Sequence, residues 1–432
     1  MTMMAMLVRS GVRAANAAGS GLQRAGVSPV SLAEESLLSA ARQATNLEDF
    51  GDDDFREPFR LLLRALESEA NLTLLGRVVA RRDLVGLLIT RLRLQADRIR
   101  HPAIASEHIA QPVFIVGLPR SGSTLLHHLL GQDPLTRVPQ AWEAMYPSPP
   151  PARATYDTDP RIARATRQLR WLDWLAPDFK TIHPVGARLP LECIALMSAS
   201  FRSTRFQAMY NIPTYEAWLE QGDMRPGYAF HRSVLQQLQW RAPGARWVLK
   251  APSHLFAIDA LLHTYPDARI VQTHRDPVTV IGSLASMSAT LQGAFTDRLQ
   301  PDAIGREILR WTRGLERSMQ LRHGGPLPTD RFVDVHYHEL TRDPLAVVRR
   351  IYTQFAMPFS RTAETAMERF LADNPKDKHG PHRYTLERFG FDTEGLAHRF
   401  KGYSEYFEVP PESATRTRRS IPSSSRSASA RH

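Results

Sequence analysis

The sequence predicts an α/β fold: a parallel sheet flanked by helices in three layers, with a helical segment before it and a helical insert within it. Three observations carry that expectation. Residues 111–131 (QPVFIVGLPRSGSTLLHHLLG) run from an apolar stretch, Val113 to Val116, through a glycine-bounded loop into an amphipathic helix. Residues 246–288 read as strand, helix and strand again, with Arg246 to Leu249 and Ala268 to Gln272 as the strands. Between them Leu255, Ile258, Leu261 and Leu262 recur at helical spacing. Phe332 to Tyr337 (FVDVHY) supplies a further core strand. Short apolar runs alternating with helices suit a parallel sheet, because the crossover helices cover both of its faces.

In chain order, residues 1–30 read as a flexible leader. Residues 1–33 hold Arg9, Arg13 and Arg24 and no acid, as organelle-targeting segments do, but the apolar stretch is too interrupted for a secretory signal. Residues 31–110 read as helical, because Phe59 to Glu67 and Asp83 to Ala96 repeat leucine at helical spacing, with a turn or helix start at Asn71 to Arg77. This segment would pack over the sheet or form a contact between copies of the chain, so a homo-oligomer is open. Residues 111–409 would form the α/β domain. Within it, residues 155–245 form the helical insert, carrying Trp171, Trp174, Tyr210, Tyr215, Trp218 and Trp240. An insert of this kind is the expected wall of a ligand pocket, while most such aromatics pack in the core. Pro147 to Pro151 make a stiff loop placed to rim a site. Residues 410–432, with five arginines and one glutamate among serines, have no apolar periodicity and read as a disordered tail.

Composition excludes several classes. The formal charge of +11 invites a nucleic-acid reading, but part of the excess lies in the tail. No zinc-finger spacing or RNA-binding aromatic motif accompanies it, so no specific nucleic-acid partner is expected. No uncharged apolar run reaches the roughly 18 residues of a membrane span. The single Cys193 excludes an internal disulfide framework and fits a reducing compartment. Five lysines against fifty arginines suggest a GC-rich bacterial genome, and with it a cytoplasmic bacterial protein.

The chemistry begins at the loop. Glycines let backbone N–H groups converge on an anion, and the N-terminus of the following helix adds partial positive charge. Gly117, Gly122 and Thr124 fit the nucleotide-triphosphatase template G-x-x-x-x-G-K-[ST], but Ser123 stands where its lysine belongs. The loop's cation is Arg120, two residues before the second glycine. The loop is built for phosphate yet lacks the group that grips the β- and γ-phosphates of ATP.

Arg120-Ser121-Gly122-Ser123-Thr124 resembles the 5′-phosphosulfate loop of sulfotransferases, which bind 3′-phosphoadenosine 5′-phosphosulfate (PAPS) on a fold related to nucleotide kinases. Arg275 at a strand end, with Ser283 eight residues later, is similar to the 3′-phosphate signature of that family. A guanidinium can hold that phosphate bidentately and a hydroxyl adds one donor. Lys250-Ala-Pro-Ser-His254 resembles the family's Lys-Thr-His segment, with the histidine four residues from the lysine rather than two. The resemblance implies that His254 is the base and that Lys250 steadies the leaving group. Glu143, 23 residues past Arg120, is the rival base, as in relatives with a glutamate after the loop helix. Glu192, which opens an apolar helical run, is a third candidate. His338-Glu339-Leu340 and residues 382–390, with Arg383, are similar to further family segments. The implied reaction is in-line sulfuryl transfer from PAPS to a hydroxyl of a small-molecule, lipid or carbohydrate acceptor, with no metal expected. Competing readings are a divergent kinase, for which Asp334 would be the magnesium-binding acid, and a nucleotide-binding protein without transfer activity.

Overall fold

The computed structural model describes residues 16, 19, 29–175, 186–323, 329–375 and 386–412, with side chains of 171–175 left aside. Most of the leader, the tail beyond 412, the Trp171 and Trp174 side chains and Arg383 therefore lie outside the described residues. Five parallel strands form one sheet: β1 (Val113–Gly117), β2 (Thr136–Arg137), β3 (Arg246–Lys250), β4 (Arg269–His274) and β5 (Phe332–His336). Their order is β2-β3-β1-β4-β5. Four of the five were expected from the sequence; the two-residue edge strand β2 was not.

Period-two alternation divides the strands between two layers. Val113, Ile115, Val248 and Val271 face the Ser123–Leu130 helix, where Leu126, Leu129 and Leu130 are buried with them. Phe114, Val116, Trp247, Leu249 and Ile270 face the other way. There they pack with Val234 and Leu235 of the Arg225–Gln239 helix and Val280 and Ile281 of the Pro277–Gln292 helix. The chain leaves β1 towards β2 on one side and later returns to β4 on the other. This reversal opens a crevice at the C-terminal ends of β1, β3 and β4, where ligands of open α/β sheets bind.

The N-terminal helices pack on the insert. Phe55 and Phe59 lie 6.0 and 4.5 Å, ring centre to ring centre, from Phe201, in a core that also holds Phe206, Tyr210 and Tyr215. The Leu74–Arg100 helix starts where Thr73 caps it, its hydroxyl accepting from the Gly76 N–H at 3.0 Å. That helix start is joined to the turn after the Pro277–Gln292 helix. The Thr73 N–H donates to the Phe295 carbonyl at 3.0 Å, and Leu72 bridges Thr296 in antiparallel fashion. A Cβ at Gly76 would lie 2.3 Å from the Phe295 oxygen, so only glycine permits this approach. No helix among the described residues is long and apolar enough to cross a membrane.

Candidate active site

The loop after β1 is shaped by three left-handed residues: Gly117 at φ 130°, Arg120 at φ 67° and Gly122 at φ 92°. A Cβ at Gly117 would sit 2.4 Å from the Thr273 carbonyl oxygen and hydroxyl, so β4 runs flush against the loop only because this residue has no side chain. The buried Ser121 hydroxyl is committed to holding that arrangement. It donates to the Leu118 carbonyl at 2.5 Å and lies 2.6 Å from the Thr273 hydroxyl. Ser123 and Thr124 open the helix, whose first N–H groups have no intrahelical acceptor.

Lys250 ends β3, in register with Ile115 of β1. Alternation puts its side chain on the face of the Ser123–Leu130 helix, beside Val248. There the ammonium, only 2% exposed, donates to the Thr124 hydroxyl at 3.2 Å and to the Glu192 carboxylate. Glu192 precedes the Cys193–Met197 helix of the insert. A buried ammonium needs such partners, because leaving it unpaired would cost several kcal/mol.

Arg275 follows β4 and reaches back to the loop, donating from Nη1 to the Arg120 carbonyl at 2.8 Å. Its guanidinium lies 4.0 Å from the Tyr337 ring centre. Nε and Nη2 donate to the two oxygens of Glu412 at 2.5 and 3.1 Å. Asp276 caps the next helix, accepting from the Val278 N–H at 3.0 Å. Ser283 lies in the second turn of that helix, 8% exposed. The loop, Lys250 and Arg275 thus meet at one end of the sheet, as their strand-end positions implied.

The two leading base candidates are both buried and hydrogen-bonded. Glu143 is wholly buried and paired with Arg137. Its other oxygen accepts from Tyr156 at 2.8 Å and from the Gln140 N–H at 3.1 Å. It closes a reciprocal capping box with Gln140 at the start of the Ala141–Met145 helix. His254 is 1% exposed, its Nδ1 lies 2.7 Å from the Tyr228 hydroxyl, and its ring meets Phe114 edge-on at 5.2 Å. Burial pushes its pKa down to about 3, so the ring is neutral near pH 7. It borders a cavity of about 540 Å³ that also touches Tyr228 and Ser253.

A larger cavity of about 1500 Å³ opens beside the loop. Pro119 of the loop, Glu192 and Ser253 line it, and Leu75, Leu284 and Leu291 are among its apolar walls. Pro147 and Ser148 border it, as expected of the proline loop. The insert contributes Leu191, Ala195 and Met209, whereas its aromatics Tyr210 and Tyr215 are buried in the core. No group of three or more His, Cys, Asp or Glu side chains that could hold a metal occurs among the described residues. The sequence reading missed Glu412, Thr273 and Tyr337. Only Tyr337, an aromatic directly after a strand, carried a local signal.

Comparison with known proteins places this arrangement. A family model described as the sulfotransferase family matches residues 112–361. The crystal structure of sulfotransferase STF1 from Mycobacterium tuberculosis is 35% identical, covers 86% of this chain and 98% of its own, and superposes with a TM-score of 0.77. Sulfotransferase STF9 from Mycobacterium avium is 30% identical over 88% of this chain and 97% of its own, with a TM-score of 0.81. An omega-hydroxy-beta-dihydromenaquinone-9 sulfotransferase from Mycobacterium bovis is 26% identical over 284 residues, 64% of this chain and 71% of that protein. With Ser123 at the position of the kinase lysine and Arg120 as the loop's cation, and with relatives matching nearly end to end, the chain is a sulfotransferase enzyme and belongs to the sulfotransferase family.

Proposed function

We propose that the protein transfers a sulfuryl group from PAPS to the hydroxyl of a long, apolar small-molecule acceptor, with Lys250 and Glu192 at the reacting centre. The observation that carries this reading is the Lys250 ammonium, bonded at once to Thr124 of the phosphate loop and to Glu192, which lines the large cavity. The residues present fit the donor. The left-handed loop and helix start suit the 5′-phosphosulfate, with Arg120, Gly122, Ser123 and Thr124 around it and Ser121 bracing the loop. Arg275 suits the 3′-phosphate, with Ser283 on the adjoining helix.

The acceptor oxygen attacks sulfur as the bond from sulfur to the bridging phosphate oxygen breaks. Charge then grows on that oxygen, and Lys250 and Arg120 stabilise it. As Lys250 turns to the leaving oxygen, its hold on Glu192 loosens and the carboxylate takes the acceptor's proton. One exchange of partners thus prepares both the leaving group and the base. Glu192 is preferred to His254 and Glu143 because it alone of the three lines the large cavity. The cavity's apolar walls favour an apolar alcohol, and the name of the Mycobacterium bovis relative, which acts on a hydroxylated menaquinone, agrees. A kinase reading fares poorly: Asp334 is bound by Arg322 at 2.5 and 2.7 Å and by His274 at 2.8 Å, which leaves little of it for magnesium.

The test is calorimetric titration with adenosine 3′,5′-bisphosphate (PAP) beside ATP–Mg²⁺, followed by transfer assays from PAPS to long-chain alcohols. Tight PAP binding with weak ATP binding, and turnover abolished in Glu192→Gln, are expected. A preference for ATP, or full turnover in Glu192→Gln, would overturn the donor or the base respectively.

A further inference from the structure

We infer that Glu412 is an internal occupant of the seat Arg275 offers to a 3′-phosphate, so that nucleotide and chain compete for one guanidinium. This rests on the reading of Arg275 given above and deepens it. The Glu412 carboxylate engages Nε and Nη2 of Arg275 through both oxygens, at 2.5 and 3.1 Å. That is the two-point grip by which arginine recognises a carboxylate or a phosphate. The guanidinium also contacts the Arg120 carbonyl, at 2.8 Å, and the Tyr337 ring. These contacts orient Arg275 and do not use the Nε and Nη2 edge that Glu412 holds.

The contact is made by a short arm. Phe407 and Val409 are buried, with the Phe407 ring 4.2 Å from that of His274. Pro410 and Pro411 are exposed, and their fixed φ angles make a stiff link to Glu412. The Glu412 N–H then donates to Asp276 at 2.9 Å, next to the arginine it serves. The Glu412 side chain is 34% exposed, so it can leave for water without unpacking the core.

The chemistry favours exchange in one direction for one class of ligand. A 3′-phosphate brings more charge and more oxygens than a carboxylate and displaces it. A nucleotide with a 3′-hydroxyl offers nothing in its place, and the Arg275–Glu412 pair persists beside it. As PAP departs after transfer, Glu412 returns and spares Arg275 an unpaired state. The device lowers affinity for substrate and product alike in exchange for easier release.

The experiment measures PAP and ADP affinity on the full chain, as wild type, Glu412→Gln, Arg275→Ala and the double variant, with thermal melting to confirm folding. Glu412→Gln tightens PAP about tenfold, the weight of a partly exposed charge-assisted pair. It leaves ADP unchanged and has no effect on PAP once Arg275 is alanine. Unchanged or weaker PAP binding in Glu412→Gln, with Arg275→Ala still damaging, overturns the inference and leaves the cofactor reading standing. If Arg275→Ala itself leaves PAP affinity intact, the cofactor reading fails and this inference with it.

Discussion

The two sides of the site are built on opposite plans. On the loop side, charged groups sit at the ends of β3 and β4, the two strands that flank β1, and are already paired: Lys250 with Glu192 and Thr124, Arg275 with Glu412 and the Arg120 carbonyl. On the cavity side, apolar side chains arrive from separate helices, among them Leu75 of Leu74–Arg100, Leu284 and Leu291 of Pro277–Gln292 and Ile308 of Pro301–Ile308. The first side has specific partners; the second has volume and a mostly apolar lining. On the proposed function, reaction chemistry and donor choice would change with one side and acceptor choice with the other.

The largest expected effect separates them outright. Lys250→Ala lowers turnover by about a thousandfold, the scale of removing one transition-state donor, while PAP affinity by calorimetry stays within a few-fold. Loss of PAP binding in parallel would show that the loop depends on this lysine for its shape. Next, Arg275→Ala weakens PAP by about a hundredfold, the weight of a bidentate charged contact, and leaves ADP unchanged. On the other side, Leu291→Trp fills part of the cavity. It raises KM for long apolar alcohols by about tenfold, as pocket contacts of this size do, without altering PAP binding. An equal effect on short and long alcohols would place the acceptor elsewhere.

The smallest expected effect concerns His254. Burial holds His127, His231 and His254 each at a pKa of about 3. The unfolded chain binds these protons near pH 6.5 and the folded protein does not. Stability is therefore full above that pH and is lost as pH falls from there towards 3, by about 1.4 kcal/mol per pH unit for each histidine. His254→Gln flattens the slope of unfolding free energy, measured with urea between pH 6.5 and 4.5, by one such increment, and leaves turnover within a few-fold. A large loss of turnover with an unchanged slope would return His254 to the role of base.

What the sequence disclosed follows the same division. The strand-end positions of the loop, Lys250 and Arg275 were legible because the loop is bounded by glycines, each basic residue follows a strand-like run and stands two residues before a proline, and lysine is scarce in this chain. Glu143 was harder: the Gln140-x-x-Glu143 spacing of a capping box was present, but a carboxylate near a tryptophan reads equally as a base. Strand β2 was missed because Thr136-Arg137 shows no apolar alternation, and its pairing with Arg246 and Trp247 arises only once β3 exists. Glu412 lies 137 residues from Arg275, and no local pattern announces a contact set by where the chain happens to return. The cavity side left least trace, since leucines that line a groove and leucines that fill a core look alike in sequence.

The close approach of Gly76 to the Phe295 carbonyl has a bearing on how this enzyme could change. It fastens the helix start at Leu74 to the turn that follows Leu291, and Leu75, Leu291 and Phe295 all border the cavity. Two elements that line the cavity are thus bolted together. On the proposed function, an acceptor meets walls that are held together at this point. Diversification for new guests would then proceed by re-boring, one wall residue at a time, with the Gly76 bolt left untouched.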